Sequence, residues 1–346
     1  MMQATRYLPP EWAPQSAVML TWPHAHSDWA EILDRVEPVY VHIALEVTRR
    51  EQLLIACYDA EHRAHIRSLL DGAGVDPARS HLHIVPSNDT WARDHGPITV
   101  IEDGKPRLLD FRFNGWGRKY DYRLDNAITQ GLHELGAFGT TPRSAVDLIL
   151  EGGSIESDGH GTLMTTSNCL LSPQRNPQYN CVGLEEIFQR EFGIRRVLWL
   201  EKGHLAGDDT DSHIDTLARF CDAHTIAYVS CDDPQDEHYS ELQEMEAELR
   251  EFRDYQNQPY RLVPLPIPEA KYNAEGKRLP ATHANFLIIN GAVLVPTYDS
   301  PKDTIALKNL AGCFPAHEII AIPALPLIQQ FGSVHCITMQ LPESVV

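Results

Sequence analysis

The chain has 346 residues, of which 43% are hydrophobic and 22% are charged, values typical of a globular protein with one or two domains. Its net charge of −19 argues against nucleic acid or an anionic membrane as a partner and favours a cationic ligand, although an acidic charge can also serve solubility alone. No apolar run is long enough to span a membrane, and the first ten residues lack an apolar signal core. The seven cysteines form no Cys-x-x-Cys pair. We therefore predict a cytoplasmic protein with reduced thiols.

The first quarter of the chain alternates short apolar strands with amphipathic helices. Residues 17–22 and 53–57 are predicted to be strands because they are continuous apolar runs. Between them, apolar residues from 29 to 47 recur at helical spacing. Asp59 is predicted to cap the next helix, which ends near two glycines. These elements indicate a small sheet with helices packed on it.

A combination of apolar strand, polar loop and second strand then recurs along the chain. The marker residues of the five successive loops are Asp94, Glu151, His213, Asn285 and Cys336. They are separated by about 50–70 residues, and helical patterns lie between the later loops. We therefore predict an α/β fold in which residues 1–346 form a single domain of five sheet-plus-helix units. Radial packing would bring the five loops together on a central axis.

A long polar loop over residues 266–280 interrupts this repeat. Long loops in compact folds often act as lids over a site, but the sequence is equally consistent with a plain insertion. The rest of the chain contains no linker-like or low-complexity segment that would divide it into domains.

Cys336 stands out near the C-terminus because the small-residue turn Gly332-Ser333 delivers it to the start of a β-branched run. A lone cysteine in an apolar strand is more often a buried structural residue than a nucleophile. The histidine and carboxylates on the other loops change this interpretation, because a nucleophilic thiol needs a base and an orienting group that are usually distant in sequence.

Together, these residue types fit the hydrolysis of a guanidine. Asp94 and Asp215 can hold a planar cation through charge-assisted hydrogen bonds, which orients its carbon beside the thiol of Cys336. His213 can act as the acid for departing ammonia and then as the base for water. Glu151 can fix the orientation of the imidazole.

Each of these signals has an ordinary structural alternative when it is taken alone. Asp215 could simply interact with a helix N-terminus, and Glu151 before two glycines could mark a turn. Trp91 and Trp116 could be core aromatic residues. The histidines and acidic residues show no metal-binding spacing such as His-x-x-x-His, so we predict neither a metal nor a cofactor.

The order of motifs along nearly the whole chain resembles the agmatine deiminases of the bacterial peptidylarginine-deiminase-type family. The motifs that carry this resemblance are Leu8-Pro9-Pro10-Glu11-Trp12, Thr21-Trp22-Pro23-His24, Asn88-Asp89-Thr90-Trp91-Ala92-Arg93-Asp94, Phe111-Arg112-Phe113-Asn114-Gly115-Trp116-Gly117, Glu151-Gly152-Gly153-Ser154-Ile155, Gly207-Asp208-Asp209-Thr210 with His213-Ile214-Asp215, and His335-Cys336-Ile337-Thr338. The resemblance implies the pentein fold, a five-bladed pseudo-symmetric α/β propeller with its active site on the central axis. It also implies a cofactor-free hydrolase that converts agmatine and water to N-carbamoylputrescine and ammonia in polyamine (putrescine) biosynthesis.

The resemblance also assigns roles to individual residues. Cys336 would form an amidino-cysteine intermediate, His213 would be the general acid and base, Asp94 and Asp215 would bind the guanidinium, and Glu151 would support His213. Five further residues are predicted to bind the substrate, namely Trp91, Arg93, Trp116, Asp209 and Asn285.

Other functions remain as alternatives. The same residues could deiminate free or peptidyl arginine, transfer an amidino group to an amine, or belong to a non-catalytic binding protein. A cysteine protease is a further alternative, but it would not need two extra carboxylates around the reacting carbon. Arginine would require a positive partner for its α-carboxylate, such as Arg118 or Arg278, so we expect agmatine to be preferred. The sequence leaves open whether copies of the chain associate into a homo-oligomer.

Overall fold

The structure is a computed structural model that describes residues 6–346. Residues 1–5, which include part of the N-terminal segment analysed for a signal sequence, lie outside the described residues.

The strands are Arg6–Tyr7, Gln15–Thr21, Gln52–Cys57, Ser80–Ile84, Ile98–Glu102, Lys105–Arg112, Arg143–Ile149, Ile155–Ser157, Thr162–Thr166, Arg196–Leu200, Ala218–Asp222, Thr225–Ser230, Arg261–Pro266, Lys271–Tyr272, Arg278–Leu279, Leu287–Ile289, Ala292–Thr297, Glu318–Pro323 and Thr338–Pro342. The α-helices are Leu33–Thr48, Ala60–Gly72, Ala92–His95, Gly115–Arg118, Ile128–Glu134, Ser167–Leu170, Cys181–Phe192, Tyr239–Glu251 and Asp303–Cys313. Short 3-10 turns occupy Ala30–Ile32, Asp125–Ala127, Gly152–Ser154, Ile214–Thr216 and Leu327–Gln330.

Five sheets share one local topology. An antiparallel pair of strands is followed by a helix, and the helix returns the chain to a third strand parallel to its neighbour. In one such sheet, strands 155–157 and 162–166 are antiparallel, the helix 181–192 follows, and strand 196–200 pairs in parallel with 162–166. The predicted α/β class and the sheet-plus-helix units are thus observed, and their closure into a five-bladed propeller stays a prediction.

The two ends of the chain meet in one sheet. The last strand, 338–342, pairs antiparallel with strand 15–21, which pairs in parallel with 52–57. Cys336 therefore enters a sheet whose other strands come from the beginning of the chain. Strand 15–21 is buried on both faces, with Val18 and Leu20 in one apolar cluster and Ala17 and Met19 in another.

The sequence analysis missed the second strand of several hairpins, such as 105–112 and 292–297. Turn dipeptides mark both hairpins, Asp103-Gly104 in the first and Asn290-Gly291 in the second. Asp103 and Gly104 have φ values of 49° and 77°, as a tight type I′ hairpin turn requires. These dipeptides were the available signal for the missing strands.

The helices follow from their caps and apolar faces. Asp59 accepts a hydrogen bond from the backbone N–H of His62 at 2.8 Å, which confirms the predicted cap. The helix 181–192 begins after the cap Asn180 and ends at Gly193, whose φ of 69° suits a glycine. Among residues 6–346, no helix combines the length and apolar character needed to traverse a bilayer.

The long loop over residues 266–280 contains a two-stranded ribbon, in which 271–272 pairs antiparallel to 278–279. Lys277 places its ammonium 4.2 Å from the centre of the Phe331 ring. Arg278 forms ion pairs of 2.8 Å with both Asp236 and Glu237. The segment is therefore fastened to its surroundings by charged contacts, and its role as a lid stays a prediction.

Candidate active site

The marker residues occupy equivalent places in the fold. Each lies in a link that leads into the first strand of a sheet: Asp94 before 98–102, Glu151 before 155–157, His213 before 218–222, Asn285 before 287–289 and Cys336 before 338–342. The parallel third strand of the preceding sheet ends at one edge, and the next antiparallel pair begins close to it. The repeated connection thus presents one polar loop from each sheet.

Three of the predicted catalytic side chains meet around Gly153. A Cβ atom at this position would lie 2.7 Å from Nδ1 of His213, 2.8 Å from Oδ1 of Asp94 and 3.0 Å from Oδ2 of Asp215. Only glycine leaves room for the three polar groups. The backbone N–H of Gly153 also donates to Oδ1 of Asp94 at 2.9 Å, so the Glu-Gly-Gly turn helps to hold the first carboxylate.

Cys336 is buried beside Asn285 and Asp215. Its Sγ lies 3.3 Å from Oδ1 of Asn285 and 3.7 Å from Oδ2 of Asp215. Asn285 also accepts a hydrogen bond from the backbone N–H of His335 at 2.9 Å, and so holds the loop that carries the thiol. Burial, reinforced by the negative charges of Asp215 and Asp94, raises the pKa of Cys336 well above its ordinary value. These effects favour the protonated form of the thiol.

His213 lies between two carboxylates. Its Nδ1 is 3.7 Å from Oδ1 of Asp94, and its Nε2 is 3.5 Å from Oε2 of Glu151. Burial lowers the pKa of His213, but the charge of Asp94 and contacts with Cys169 and Glu151 outweigh burial and raise the pKa well above its usual value. The imidazole is thus protonated and can donate a proton to a leaving group.

Asp94 and Asp215 have opposite pKa shifts. Burial raises the pKa of Asp94 to about 6, and the nearby charges of Asp215 and Glu151 add to this effect. Burial also acts to raise the pKa of Asp215, but its hydrogen bond from Nδ1 of His335, at 2.8 Å, and the positive groups around it hold that pKa below its usual range. Oδ1 of Asp215 is buried and accepts no hydrogen bond within residues 6–346, which leaves it available to a donor such as a guanidinium.

Glu151 is paired with Arg175, a residue that the sequence analysis did not identify. Nε of Arg175 lies 3.0 and 2.8 Å from the two carboxylate oxygens of Glu151. Its Nη1 lies 2.6 Å from Oδ2 of Asp211. Burial acts to raise the pKa of Glu151, but the Arg175 charge overcomes burial, and the pKa is lowered. A charged Glu151 is therefore held in place beside His213.

An acidic and aromatic cleft that is open to solvent leads to Cys336. Its acidic lining consists of Asp28, Asp89, Asp94, Asp208 and Asp209. Its aromatic lining consists of Trp91, Trp116, Tyr120 and Phe331. Within the part of the chain that the structure describes, no lysine or arginine lines the cleft. A cation is therefore the ligand that this surface favours.

Neutral donors hold the carboxylates of the cleft. Asp89 accepts hydrogen bonds from the indole N–H groups of Trp29 at 2.7 Å and Trp91 at 2.8 Å. Asp209 accepts one from the hydroxyl of Tyr120 at 2.8 Å. Burial raises the pKa of Asp89 to about 6 and also raises that of Asp209. Among residues 6–346, the side chains of Asp89 and Asp209 form no ion pair with a lysine or arginine, whereas Asp94 lies beside the imidazole of His213.

The backbone at the mouth of the cleft is constrained. Phe331 has a φ of 68°, in the left-handed region that non-glycine residues rarely occupy. A Cβ on the adjacent Gly332 would lie 2.0 Å from Cζ3 of Trp91, so only glycine fits against this indole. The close contact between Gly332 and Trp91 therefore constrains the turn before Cys336.

The predicted substrate-binding residues fall into three groups. Trp91, Trp116 and Asp209 line the cleft, and the indole N–H of Trp116 donates to Oδ2 of Asp94 at 2.9 Å. Asn285 contacts Cys336 rather than the cleft lining. Arg93 requires a correction, because its side chain turns away from the cleft. Arg93 and Asp94 are successive residues of the helical turn 92–95, so their side chains leave the backbone in different directions.

Arg93 belongs to a buried charged group that we call the His335 cluster. Its members are Glu11, Arg93, Glu156, Arg219, His335 and Gln340. Nη1 of Arg93 lies 3.1 Å from Oε1 of Glu11, and its Nη2 donates to Gln340. Nη2 of Arg219 lies 2.5 Å from Oε2 of Glu11. The sequence analysis missed this cluster, although Glu11 and His335 both stand in motifs that it noted.

His335 connects this cluster to the active site. Its Nδ1 bonds to Asp215 and its Nε2 lies 2.8 Å from Oε1 of Glu11. Burial, together with the positive charges of Arg219 and Arg93, lowers the pKa of His335. A neutral imidazole carries a single N–H and donates to one carboxylate at a time.

Two groups of side chains among residues 6–346 have the residue types and proximity to hold a metal ion. One consists of Glu151, Cys169 and His213, and the other of Glu11, Glu156 and His335. Sequence spacing could not reveal either group, because its members come from separate segments. The prediction that catalysis needs no metal is not tested by the structure.

The chain is similar to known proteins over nearly its full length. The family model of the Porphyromonas-type peptidyl-arginine deiminases matches residues 7–342. A Porphyromonas gingivalis structure provisionally described as an arginine deiminase is 51% identical with a TM-score of 0.93, covering 99% of this chain and 100% of that one. A cysteine-to-serine variant of C. jejuni agmatine deiminase with substrate bound is 36% identical with a TM-score of 0.92, covering 100% and 99%. The agmatine deiminase of Stutzerimonas stutzeri strain A1501 is 31% identical over 98% of this chain and 96% of its own.

Proposed function

This chain belongs to the Porphyromonas-type peptidyl-arginine deiminase family, and from that premise we propose that it is an agmatine deiminase. The reaction converts agmatine and water to N-carbamoylputrescine and ammonia, a step in putrescine and hence polyamine synthesis. The acidic cleft carries this proposal, because its aspartates and aromatic rings surround Cys336 and none of its described lining residues is a lysine or arginine. Agmatine has a positive charge at both ends and no carboxylate, so it matches this lining along its whole length.

The guanidinium binds between Asp94 and Asp215. The free Oδ1 of Asp215 supplies an acceptor, and Asp94 supplies a carboxylate that Gly153 and Trp116 already orient. Paired charge-assisted hydrogen bonds then fix the plane of the cation, with its carbon beside Sγ of Cys336. The four-carbon chain passes the aromatic rings, and the terminal ammonium reaches the outer aspartates.

Binding of the cation activates the thiol. The same negative charges that hold the Cys336 pKa high are offset by the guanidinium, so the thiolate becomes accessible only in the complex. The thiol proton passes to solvent and sulfur bonds to the guanidinium carbon. The bond from that carbon to a terminal nitrogen breaks, and His213 delivers its proton to this nitrogen, which leaves as ammonia. The product of this half is an amidino-cysteine with a carbon–sulfur bond to Cys336.

Water completes the reaction. His213, now neutral, removes a proton from a water molecule that attacks the amidino carbon. The proton taken from water stays on His213 as the imidazolium. The carbon–sulfur bond then breaks, the second proton of that water passes to the sulfur to restore the thiol, and N-carbamoylputrescine leaves. Glu151 and Arg175 hold the imidazole through both steps, which is the orienting role of the third member of a catalytic triad. No cofactor is required in this sequence of steps.

The proposal extends to the fold. The five sheets repeat one topology, and their connecting loops converge on a single site. We assign them as the five blades of an α/β propeller whose central axis passes through the catalytic residues. Joining of strands 338–342 and 15–21 supports closure, since it links the last unit of the chain to the first.

Deimination of arginine is the main alternative, and the description of the P. gingivalis relative makes it the comparison to measure. An α-carboxylate would need a cation in the cleft. Arg278 is already paired with Asp236 and Glu237, and Arg118 is exposed outside the lining residues. Neither arginine is placed to receive the carboxylate, which favours agmatine.

Steady-state kinetics on agmatine, free arginine and a peptidyl-arginine ester tests the proposal. Ammonia and ureido product are both quantified, because an amidinotransferase would release no ammonia from a guanidine alone. We expect the highest kcat/KM with agmatine and equal amounts of the two products. A higher kcat/KM with arginine would refute the agmatine assignment and direct mutagenesis to Arg118 and Arg278.

A further inference from the structure

Behind His213 lies a second thiol that the proposed reaction does not use. Cys169 is fully buried in the short helix 167–170, and its Sγ lies 3.8 Å from Oε2 of Glu151. Nε2 of His213 is 3.5 Å from the same oxygen. Within residues 6–346, this Nε2 is buried and has no hydrogen-bond partner of acceptable geometry. An unpartnered imidazole nitrogen thus faces a thiol and a carboxylate.

The separations match those of a tetrahedral metal site. Zinc binds sulfur at about 2.3 Å and nitrogen or oxygen at about 2.0–2.2 Å, which places neighbouring ligand atoms roughly 3.3–3.6 Å apart. The measured distances of 3.5 Å for Nε2–Oε2 and 3.8 Å for Sγ–Oε2 are close to these values, and the ligand atoms of all three residues lie within 4.8 Å of one another. Small side-chain shifts would complete three-ligand coordination.

The chemistry of the ligands selects among cations. A thiolate, an imidazole and a carboxylate form a donor set suited to zinc and other thiophilic ions rather than to magnesium or calcium. Nε of Arg175 donates to both oxygens of Glu151, including Oε2, which keeps a second lone pair for a metal, and Asp211 balances the arginine charge. In the other candidate group, by contrast, Arg219 pairs with both Glu11 and Glu156 and no thiol is present.

A surface hollow lies close to the candidate site along the chain. Ser167, in the same short helix as Cys169, and Ser212, directly before His213, line this hollow. Asp208 and Asp211 also line it, although Asp211 is paired with Lys119 and Arg175. The hollow is therefore the nearest described surface from which an ion could approach the buried ligands.

We propose that Cys169, His213 and Glu151 form an inhibitory site for a thiophilic divalent cation of the zinc type. Binding forms metal–sulfur, metal–nitrogen and metal–oxygen bonds, releases the thiol proton of Cys169 and the Nε2 proton of His213 to solvent, and leaves a fourth position for water. An imidazole held by a metal cannot donate or accept the protons of the hydrolytic cycle, so occupation stops turnover. The inhibitory consequence rests on the proposed function, whereas metal binding itself does not.

Binding is tested in the inactive background Cys336→Ala, which removes the other nearby thiol. Cobalt(II) is the spectroscopic probe, because a thiolate ligand gives a sulfur-to-metal charge-transfer band. We expect this band and one zinc-competed site per chain in Cys336→Ala, and neither in Cys336→Ala/Cys169→Ser. The matched control Cys336→Ala/Cys221→Ser, which alters a buried thiol elsewhere in the core, should keep both. Thermal unfolding checks that each variant is folded.

Activity is tested separately with ZnCl₂. Zinc should inhibit the wild-type chain, and EDTA should restore its activity. For Cys169→Ser, the zinc concentration that halves the variant's own metal-free rate should be at least about tenfold higher. Equal zinc sensitivity of the two chains, absence of the cobalt band in Cys336→Ala, or a band that survives Cys169→Ser would each overturn the site. A chain that binds cobalt through Cys169 but does not hydrolyse agmatine would refute the proposed function and leave the metal site standing.

Discussion

Around Cys336, the cleft presents five aspartates without a lysine or arginine in its described lining, whereas the neighbouring His335 cluster pairs its carboxylates with two arginines. The same loops supply both regions. Asp94 and Cys336 face the cleft, while Arg93 and His335, the residues directly before them, face the cluster. Each of these two loops is thus divided between two environments.

The difference in charge balance separates structural from ligand-binding residues. Removing one member of a paired, buried group leaves its partner uncompensated, so the His335 cluster should control stability. The side chains of Asp89 and Asp209 have only neutral hydrogen-bond donors, and Asp94 lies beside the imidazole of His213. A cationic substrate would supply the missing charge, so the cleft should control substrate binding. Changes in the two regions are expected to have distinct effects, which the following experiments separate.

The largest effect is expected for Cys336→Ala, since without the thiol no amidino intermediate can form. Ureido product should be abolished, while the unfolding midpoint should change little. Mass spectrometry of acid-quenched wild-type protein should find the amidino adduct on the peptide that contains Cys336. Detection of the adduct on Cys169 or Cys313, or full activity of the variant, would contradict this role.

In the His335 cluster, Arg219→Met should lower the free energy of unfolding by about 3–5 kcal/mol, because Glu11 and Glu156 lose their common partner. Urea denaturation followed by circular dichroism measures this change. Arg118→Met, which alters an exposed arginine, is the matched control and should leave stability unchanged. Equal stability of the two variants would show that the cluster is not structural.

In the cleft, Asp94→Asn and Asp215→Asn should each reduce kcat/KM for agmatine by at least about two orders of magnitude. The estimate follows from about 3–5 kcal/mol for breaking one side of a buried charge pair and about 1.4 kcal/mol per factor of ten. Steady-state kinetics gives the values, and thermal unfolding checks the fold. Activity within tenfold of wild type would place the altered carboxylate outside the guanidinium site.

At the outer end of the cleft, Asp209→Asn should raise KM for agmatine roughly tenfold and leave kcat nearly unchanged, since only a contact to the terminal ammonium is weakened. Butylguanidine has the same guanidinium but no ammonium, so its kinetics should not respond to the substitution. A similar change with both substrates would mean that Asp209 acts on the reacting end instead.

The smallest effect is expected from metal removal. If the thiol performs the first step, dialysis against EDTA should leave kcat unchanged, and it should raise the rate only in preparations that carry inhibitory zinc. Turnover and metal content are measured before and after dialysis. A loss of activity that added zinc or manganese restores would reverse both the metal-free mechanism and the inhibitory role of the site.

Much of the local structure follows from the sequence. Apolar runs and helical spacing located most strands and the main helices, and the five polar loops were recognised because each stands between two strands. Asp94, Glu151, His213, Asp215 and Cys336, which were selected for their chemistry, do lie together in the structure, and their individual roles stay predictions. The missed hairpin strands, such as 105–112, had a usable signal in their turn dipeptides.

Tertiary structure alone decided which polar residues share a partner. The pairing of Arg175 with Glu151, the direction of Arg93 and the closeness of Cys169 to His213 join segments that are far apart in the chain. Periodicity reports only whether a residue faces the core, because burial repeats with the local geometry of a helix or strand. Contacts between loops depend on how whole sheets pack against one another, and no local pattern in the chain encodes those distances.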